Sequence, residues 1–182
     1  MAGAPGQVDH ADDRHVFACV LALALAERAA GGGPLTERLG IGGRALAAIA
    51  EAYFPEAGLP DLDVTTGPLP ADQSALATLL VWRGQAVGAK SQILAAIVAR
   101  RSLEAHHLWQ DLGLRNRAEL SALMGRHFPR MKQLNDTNMR WKKFFYRQIC
   151  RDPGMQLCLA PTCEECEEKD LCFAPEEGDA LI

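Results

Sequence analysis

The chain has 182 residues, of which 48% are hydrophobic and 6% aromatic, and its formal net charge is −4. This length suits a single domain with a hydrophobic core of its own. The mild negative charge excludes a general attraction to nucleic acid or to acidic membrane surfaces. Because alanine and leucine are abundant and strand-like alternation is lacking, the sequence predicts an all-α domain.

The first thirty residues predict a tail followed by a helix. Residues 1–11 contain glycine, proline and alanine without periodicity, which indicates a flexible tail. A helix is expected from Asp12 to the glycines at 31–33, because its apolar residues fall on one face: Phe17, Val20, Leu21, Ala24 and Leu25. The apolar run 16–26 is too short to cross a bilayer and lacks the features of a secretion signal. We therefore expect a cytoplasmic protein.

Further helices are predicted along the rest of a helical domain that we bound at residues 12–151. They cover about residues 41–53, 71–84, 89–103, 118–124 and 137–151, with a proline-rich loop at 55–70. Pro129 is expected to break the helical pattern. In the last helix one face is predicted to be core: Trp141, Phe144, Phe145 and Ile149.

Two adjacent histidines, His106 and His107, precede the stretch from Leu108 to Leu114. With Asp111 nearby, they could supply a metal ligand and a carboxylate that orients it. The alternative is that the apolar residues of this stretch pack and Gly113 ends a helix. The sequence alone favours the second interpretation.

Charge changes sign near the C-terminus. Residues 126–151 hold eight basic residues and one acidic residue, whereas residues 152–182 hold nine acidic residues and one lysine. Within the last helix Arg140, Lys143 and Arg147 form one stripe. This stripe is either a solvated face, or a site that offsets the charge of a metal cluster, attracts an oxyanion such as molybdate, or docks an acidic partner.

Four cysteines, Cys158, Cys163, Cys166 and Cys172, lie within fifteen residues in the spacing C-x4-C-x2-C-x5-C. Disulfides suit an oxidising compartment, and a zinc site usually has two paired knuckles rather than one. The first three cysteines match the C-x4-C-x2-C opening of plant-type ferredoxins, which favours an iron–sulfur cluster without excluding zinc. We predict that residues 152–182 form a cysteine-rich, irregular metallocluster segment packed on the helical domain. Cys150 is either an additional ligand or a packed side chain, and packing is favoured; Cys19 is expected to pack as a small hydrophobe.

Three stretches together resemble the NifQ family: His107–Leu114, Met139–Cys150, and the cysteine motif with Phe173. The resemblance implies a carrier of a molybdenum–iron–sulfur cluster that donates molybdenum for biosynthesis of the nitrogenase iron–molybdenum cofactor. It implies that the four motif cysteines are the metal ligands. Cys150 and His107 are candidates for a further ligand or a supporting contact on the evidence of their positions in the sequence. Soft thiolates suit such a centre.

The same resemblance implies partners and a role. The expected partners are the cofactor scaffold complex, the nitrogenase iron protein and a molybdenum source such as molybdate. The expected role is that of a carrier and not an enzyme. A zinc-stabilised helical interaction module is the alternative, while an iron–sulfur oxidoreductase finds no recognisable cofactor or substrate motif in the sequence.

Overall fold

The computed structural model describes residues 5–150 and 169–182. Throughout these two ranges the chain forms helices joined by turns and loops, with no strand, so the all-α prediction is confirmed for them. None of their helices is both long enough and apolar enough to cross a membrane. The helices are α1 (Pro5–Ala29), α2 (Leu35–Leu39), α3 (Gly43–Tyr53), α4 (Ala71–Trp82), α5 (Gly88–Arg101), α6 (Leu108–Asp111), α7 (Arg117–His127), α8 (Pro129–Leu134), α9 (Trp141–Cys150) and α10 (Lys169–Phe173).

Helix α1 begins at Pro5, seven positions before the expected start, so residues 5–11 continue the helix rather than precede it. A proline is compatible with the first turn, where its missing N–H has no helical partner. Four of the five residues of the predicted apolar face are buried, with Phe17 and Val20 at most 1% exposed, and Leu25 is partly buried. After Ala29 the glycines Gly31 and Gly33 adopt positive φ and end the helix.

Three short helices, α2, α8 and α10, were not predicted, and α10 lies in the segment 152–182 that was expected to be irregular. They have five, six and five residues, too few for an apolar repeat to be recognised in the sequence. Pro129 does end the pattern of α7, as expected, but it also opens α8 as its first residue. Helix α9 begins at Trp141, four residues later than expected.

The core is continuous from α1 to α9, and the aromatic face of α9 closes one side of it. Trp141, Phe144 and Phe145 are each at most 3% exposed, as predicted. Trp141 meets Phe144 edge-on at 5.7 Å and Phe145 at the same centroid distance. Helix α9 packs on α4, which in turn packs on α5. These contacts fix the start of α9, next to which the C-terminal residues lie.

A buried charged network joins α1, α5 and α7. Asp13, 1% exposed, accepts from Nε2 of His127 at 2.7 Å and forms an ion pair with Lys90. Ser91 Oγ lies 2.9 Å from the other ring nitrogen of His127. Burial by itself raises the pKa of Asp13, but hydrogen bonds from His127 and Lys90 outweigh it and lower the pKa from 3.8 to about 2.

We expect Asp13→Asn to lower the free energy of unfolding by about 2–3 kcal/mol at neutral pH. Because the folded-state pKa of Asp13 lies below its ordinary value, its stabilisation is complete above pH about 4 and is lost as the pH falls to about 2. Urea unfolding of parent and variant between pH 2 and 7 measures this difference. Asp12→Asn, at an exposed neighbouring residue, is the control. The prediction would be contradicted if the free energies of unfolding of the parent and the Asp13→Asn variant differed by the same amount at every pH in this range.

Candidate functional site

The four motif cysteines are only partly described. Cys158, Cys163 and Cys166 lie outside the described residues, as does the side chain of Cys150. Cys172 is described: it lies in α10, its thiol is half-buried, and it packs against the core. Its carbonyl accepts a hydrogen bond of 2.9 Å from the backbone N–H of Arg140, the residue before α9. One of the four predicted ligands is therefore fixed at the start of α9.

Residues 169–182, which we call the C-terminal strap, are held on the helical domain by three side chains. Arg140 donates from Nε to the carbonyl of Ala174 at 3.2 Å and from Nη2 to that of Pro175 at 3.0 Å. Arg117 forms an ion pair with Glu176. Further along, Gln110 Nε2 donates to the carbonyl of Asp179 at 2.8 Å. The strap therefore follows a defined path beside Cys172.

A pocket of about 400 Å³ opens where the strap, α6 and the start of α9 meet. We call it the basic pocket because its lining includes three cationic side chains, two histidines and two glutamates. These are Arg140, Lys142, Lys143, His106, His107, Glu176 and Glu177. The structure thus brings both candidate histidines to one cavity beside the strap. Arg140 and Lys143 of the predicted basic stripe line the same cavity.

Asp111 organises one wall of this pocket. The residue is 1% exposed; its carboxylate accepts from Lys142 Nζ at 2.5 Å, and Oδ1 lies 3.2 Å from Nδ1 of His106. Its backbone carbonyl accepts from Arg101, a fully buried arginine that also forms a two-pronged ion pair with Glu27. Burial lowers the pKa of Lys142, although its bond to Asp111 opposes this. The carboxylate therefore sets the positions of both His106 and Lys142.

His107 precedes the first residue of α6, and its N–H donates to the side chain of Gln110 at 3.2 Å. Burial lowers the pKa of its imidazole; Glu176 opposes this, while Arg140, Lys142 and Arg117 add to it. These surroundings favour the neutral form of the ring. The local prediction for this stretch is also met: Leu108 and Trp109 are buried, and Gly113 follows α6 with φ of +69°.

Gly113 is required for two reasons: its φ is positive, and the backbone of α1 lies close to its Cα. A Cβ at this position would lie 2.6 Å from the carbonyl oxygen of Cys19 on α1.

Cys19 lies on α1 and is half-buried, with its Sγ 3.6 Å from Nε2 of His15. Across 5–150 and 169–182 we find no group of three or more His, Cys, Asp or Glu side chains arranged to hold a metal ion.

The predicted basic stripe divides in the structure. Arg140 precedes α9 and binds the strap, Lys143 is exposed and lines the basic pocket, and Arg147 lies further along α9, away from the pocket lining. Among the described residues, Glu176 of the acidic C-terminal region pairs with Arg117 of α7, which lies outside the basic region 126–151. The functional part of the stripe prediction stays a prediction.

Comparison with known proteins agrees with this arrangement of motifs. Residues 16–174 match the family model described as NifQ. This chain belongs to the NifQ family. The matched range includes all four motif cysteines, both histidines and the residues that bind the strap up to Ala174. Membership gives the chain a role in nitrogen fixation, in biosynthesis of the nitrogenase cofactor.

Relatives within the NifQ family span most of the chain. A protein named Protein NifQ from Rhodobacter capsulatus is 47% identical over 175 residues, covering 96% of both chains. Protein NifQ homolog from Sinorhizobium fredii is 40% identical over 174 residues, covering 92% of this chain and 74% of the relative. Protein NifQ from Klebsiella pneumoniae is 49% identical over 98 residues, or 53% of this chain and 56% of the relative. No solved structure matches the chain.

Sequence reasoning missed Arg117, Gln110 and Glu176 as residues of this site, and it did not single out Lys142. The missed residues have no motif that marks them, because their roles come from contacts between distant positions. Arg117 and Glu176 are 59 residues apart, and Gln110 and Asp179 are 69 residues apart. The excess of acidic residues at the C-terminus was the available signal, but it does not identify which carboxylate pairs with which cation.

We expect Arg140→Ala to loosen the strap around Cys172. The change removes two charge-assisted hydrogen bonds, so amide exchange over residues 170–176 should rise at least about tenfold, while that of α5 stays unchanged. Hydrogen-exchange mass spectrometry measures both regions in one sample. Arg130→Ala, at an exposed arginine of α8, is the matched control. Equal protection of the strap in parent and Arg140→Ala proteins would refute its clamping role.

Proposed function

We propose that this member of the NifQ family carries a molybdenum–iron–sulfur cluster on Cys158, Cys163, Cys166 and Cys172 and donates molybdenum for the nitrogenase cofactor. In this proposal the protein is a carrier and not a catalyst. The observation that supports it best is the placement of Cys172, which is tied through its carbonyl to Arg140 beside a pocket rich in cations and histidines. The other three cysteines complete a soft donor set suited to iron and molybdenum sulfides.

The placement of Cys172 gives the proposed carrier one fixed ligand. Its backbone is bonded to the start of α9 and its neighbours pack on the core, so it stays in place when the other thiolates exchange metal. A cluster to be handed on needs ligands that can release it, and a fixed fourth ligand lowers the entropy cost of rebuilding the site. In this scheme Cys150 and His107 remain candidates for supporting contacts.

The proposed acceptors are the cofactor scaffold complex and the nitrogenase iron protein, in the cytoplasm. A cluster with four thiolate ligands carries net negative charge, which nearby cations would offset. The pKa of His107 is lowered by the positive charges of three nearby residues: Arg140, Lys142 and Arg117. The same cations would favour an anionic molybdenum source over a cationic metal ion.

Replacement of any one motif cysteine by alanine should reduce bound iron and molybdenum and bleach the visible absorption of anaerobically purified protein. The physical reason is that a thiolate ligand is lost from a centre that depends on four. Cys19→Ala is the matched control, because this thiol lies on α1 beside His15. Metal analysis and visible spectroscopy give the result. Colourless parent protein that contains zinc would support the interaction module instead.

Arg147→Glu tests the docking role of the stripe separately from metal loading. Arg147 is on α9, but it neither lines the basic pocket nor holds the strap through the hydrogen bonds described above. If it docks the acceptor, the variant should load metal normally and deliver molybdenum to the scaffold several-fold more slowly at low salt. The difference should shrink as salt rises, because charges are screened over about 8 Å at physiological ionic strength. Equal delivery by parent and variant at low salt would identify a solvated face.

A further inference from the structure

The charges that line the basic pocket are unequally compensated. Lys142 is paired with the buried carboxylate of Asp111, and Glu176 is paired with Arg117. The guanidinium of Arg140 instead donates to the carbonyls of Ala174 and Pro175, which carry no formal charge. These contacts satisfy donors of Arg140 without cancelling its positive charge, so a net positive potential remains at the pocket wall.

Donors from several chain segments converge on this cavity. Arg140 and Lys143 supply charged N–H groups from the start of α9. His106 adds a ring whose Nδ1 faces Asp111, so that its Nε2 is directed away from that carboxylate. Several N–H groups arranged around a small volume match a ligand with several acceptor oxygens. Glu177, an exposed carboxylate on the rim, is the lining group that opposes an anion.

The chemistry of the lining argues against a cation as ligand. Arg140, Lys142 and Lys143 would repel it, and the carboxylates of Glu176 and Asp111 already have cationic partners. An apolar ligand would displace water from the charged groups of Arg140 and Lys143 without replacing its hydrogen bonds. A volume of about 400 Å³ accommodates a small oxyanion together with water.

We propose that the basic pocket binds a tetrahedral oxyanion, with molybdate as its ligand, through Arg140 and Lys143 and with His106 and His107 as further donors. This inference rests on the proposed function, which requires molybdenum to reach the cysteines. The pocket is adjacent to Cys172 through Arg140, whose backbone binds the Cys172 carbonyl and whose side chain lines the cavity. A bound oxyanion would therefore be held next to the segment that carries Cys172.

The test separates the pocket from the thiolates. In a full-length Cys158→Ser, Cys163→Ser, Cys166→Ser protein, isothermal titration with sodium molybdate at matched ionic strength should show saturable binding of one oxyanion per chain. Sodium tungstate, with the same shape and charge, should compete. Adding Lys143→Ala should weaken molybdate binding at least about tenfold, which is about 1.4 kcal/mol, because a charged donor is lost.

The matched control is Lys132→Ala, which removes an exposed lysine of α8 outside the pocket and should leave the affinity unchanged. Arg140→Gln is the second variant, and it should weaken binding at least as much as Lys143→Ala. Circular dichroism establishes whether each variant keeps its helices. Undetectable molybdate binding in the triple-serine protein, or an affinity unchanged by both pocket variants, would overturn the proposal.

The outcomes distinguish the pocket from the proposed function. Parent protein that holds a molybdenum–iron–sulfur cluster while its Lys143→Ala and Arg140→Gln variants load molybdenum at the parental rate would refute the pocket and leave the carrier role intact. Conversely, pocket-dependent molybdate binding by a protein that never assembles a cluster would support the pocket and refute the carrier role.

Discussion

The hydrogen bond between the Arg140 amide and the Cys172 carbonyl is the contact on which the candidate site depends. It attaches the C-terminal strap to the start of α9, whose position is set by the burial of Trp141, Phe144 and Phe145. The Arg140 side chain then holds the next turn of the strap by two further carbonyls. A core aromatic cluster, an arginine and a cysteine are thereby joined in one short path. The position of Cys172 is consequently set by the packing of the core.

Asp111 extends this path to the histidines. Its buried carboxylate needs cationic or N–H partners, since an uncompensated buried charge costs several kcal/mol or more. Lys142 and His106 supply them, and Arg101 binds the carbonyl of the same residue while pairing with Glu27 on α1. The wall of the basic pocket is thus supported by ion pairs that reach the first helix. Such support keeps donor groups in place without a bound ligand.

The cationic residues therefore have different roles, although their charges look alike in the sequence. Arg126 pairs with Asp12 and Asp13, and Lys142 pairs with Asp111, so these charges stabilise the domain. Arg140 supports the strap and at the same time faces a cavity. The distinction matters because the positive charge of an arginine remains uncompensated when the arginine is bonded to neutral carbonyls. The negative charge of a carboxylate partner would offset it.

The sequence alone determined the fold class, the longer helices, the core face of α9 and the family, because each depends on local periodicity or on motifs contiguous in the chain. The short helices α2, α8 and α10 were not predicted, since five or six residues do not complete two turns. Only the tertiary structure decided that Arg117 meets Glu176 across 59 residues and that Arg140 binds the strap. Charge acts through space, and a list of charges along a chain does not specify which of them will be neighbours.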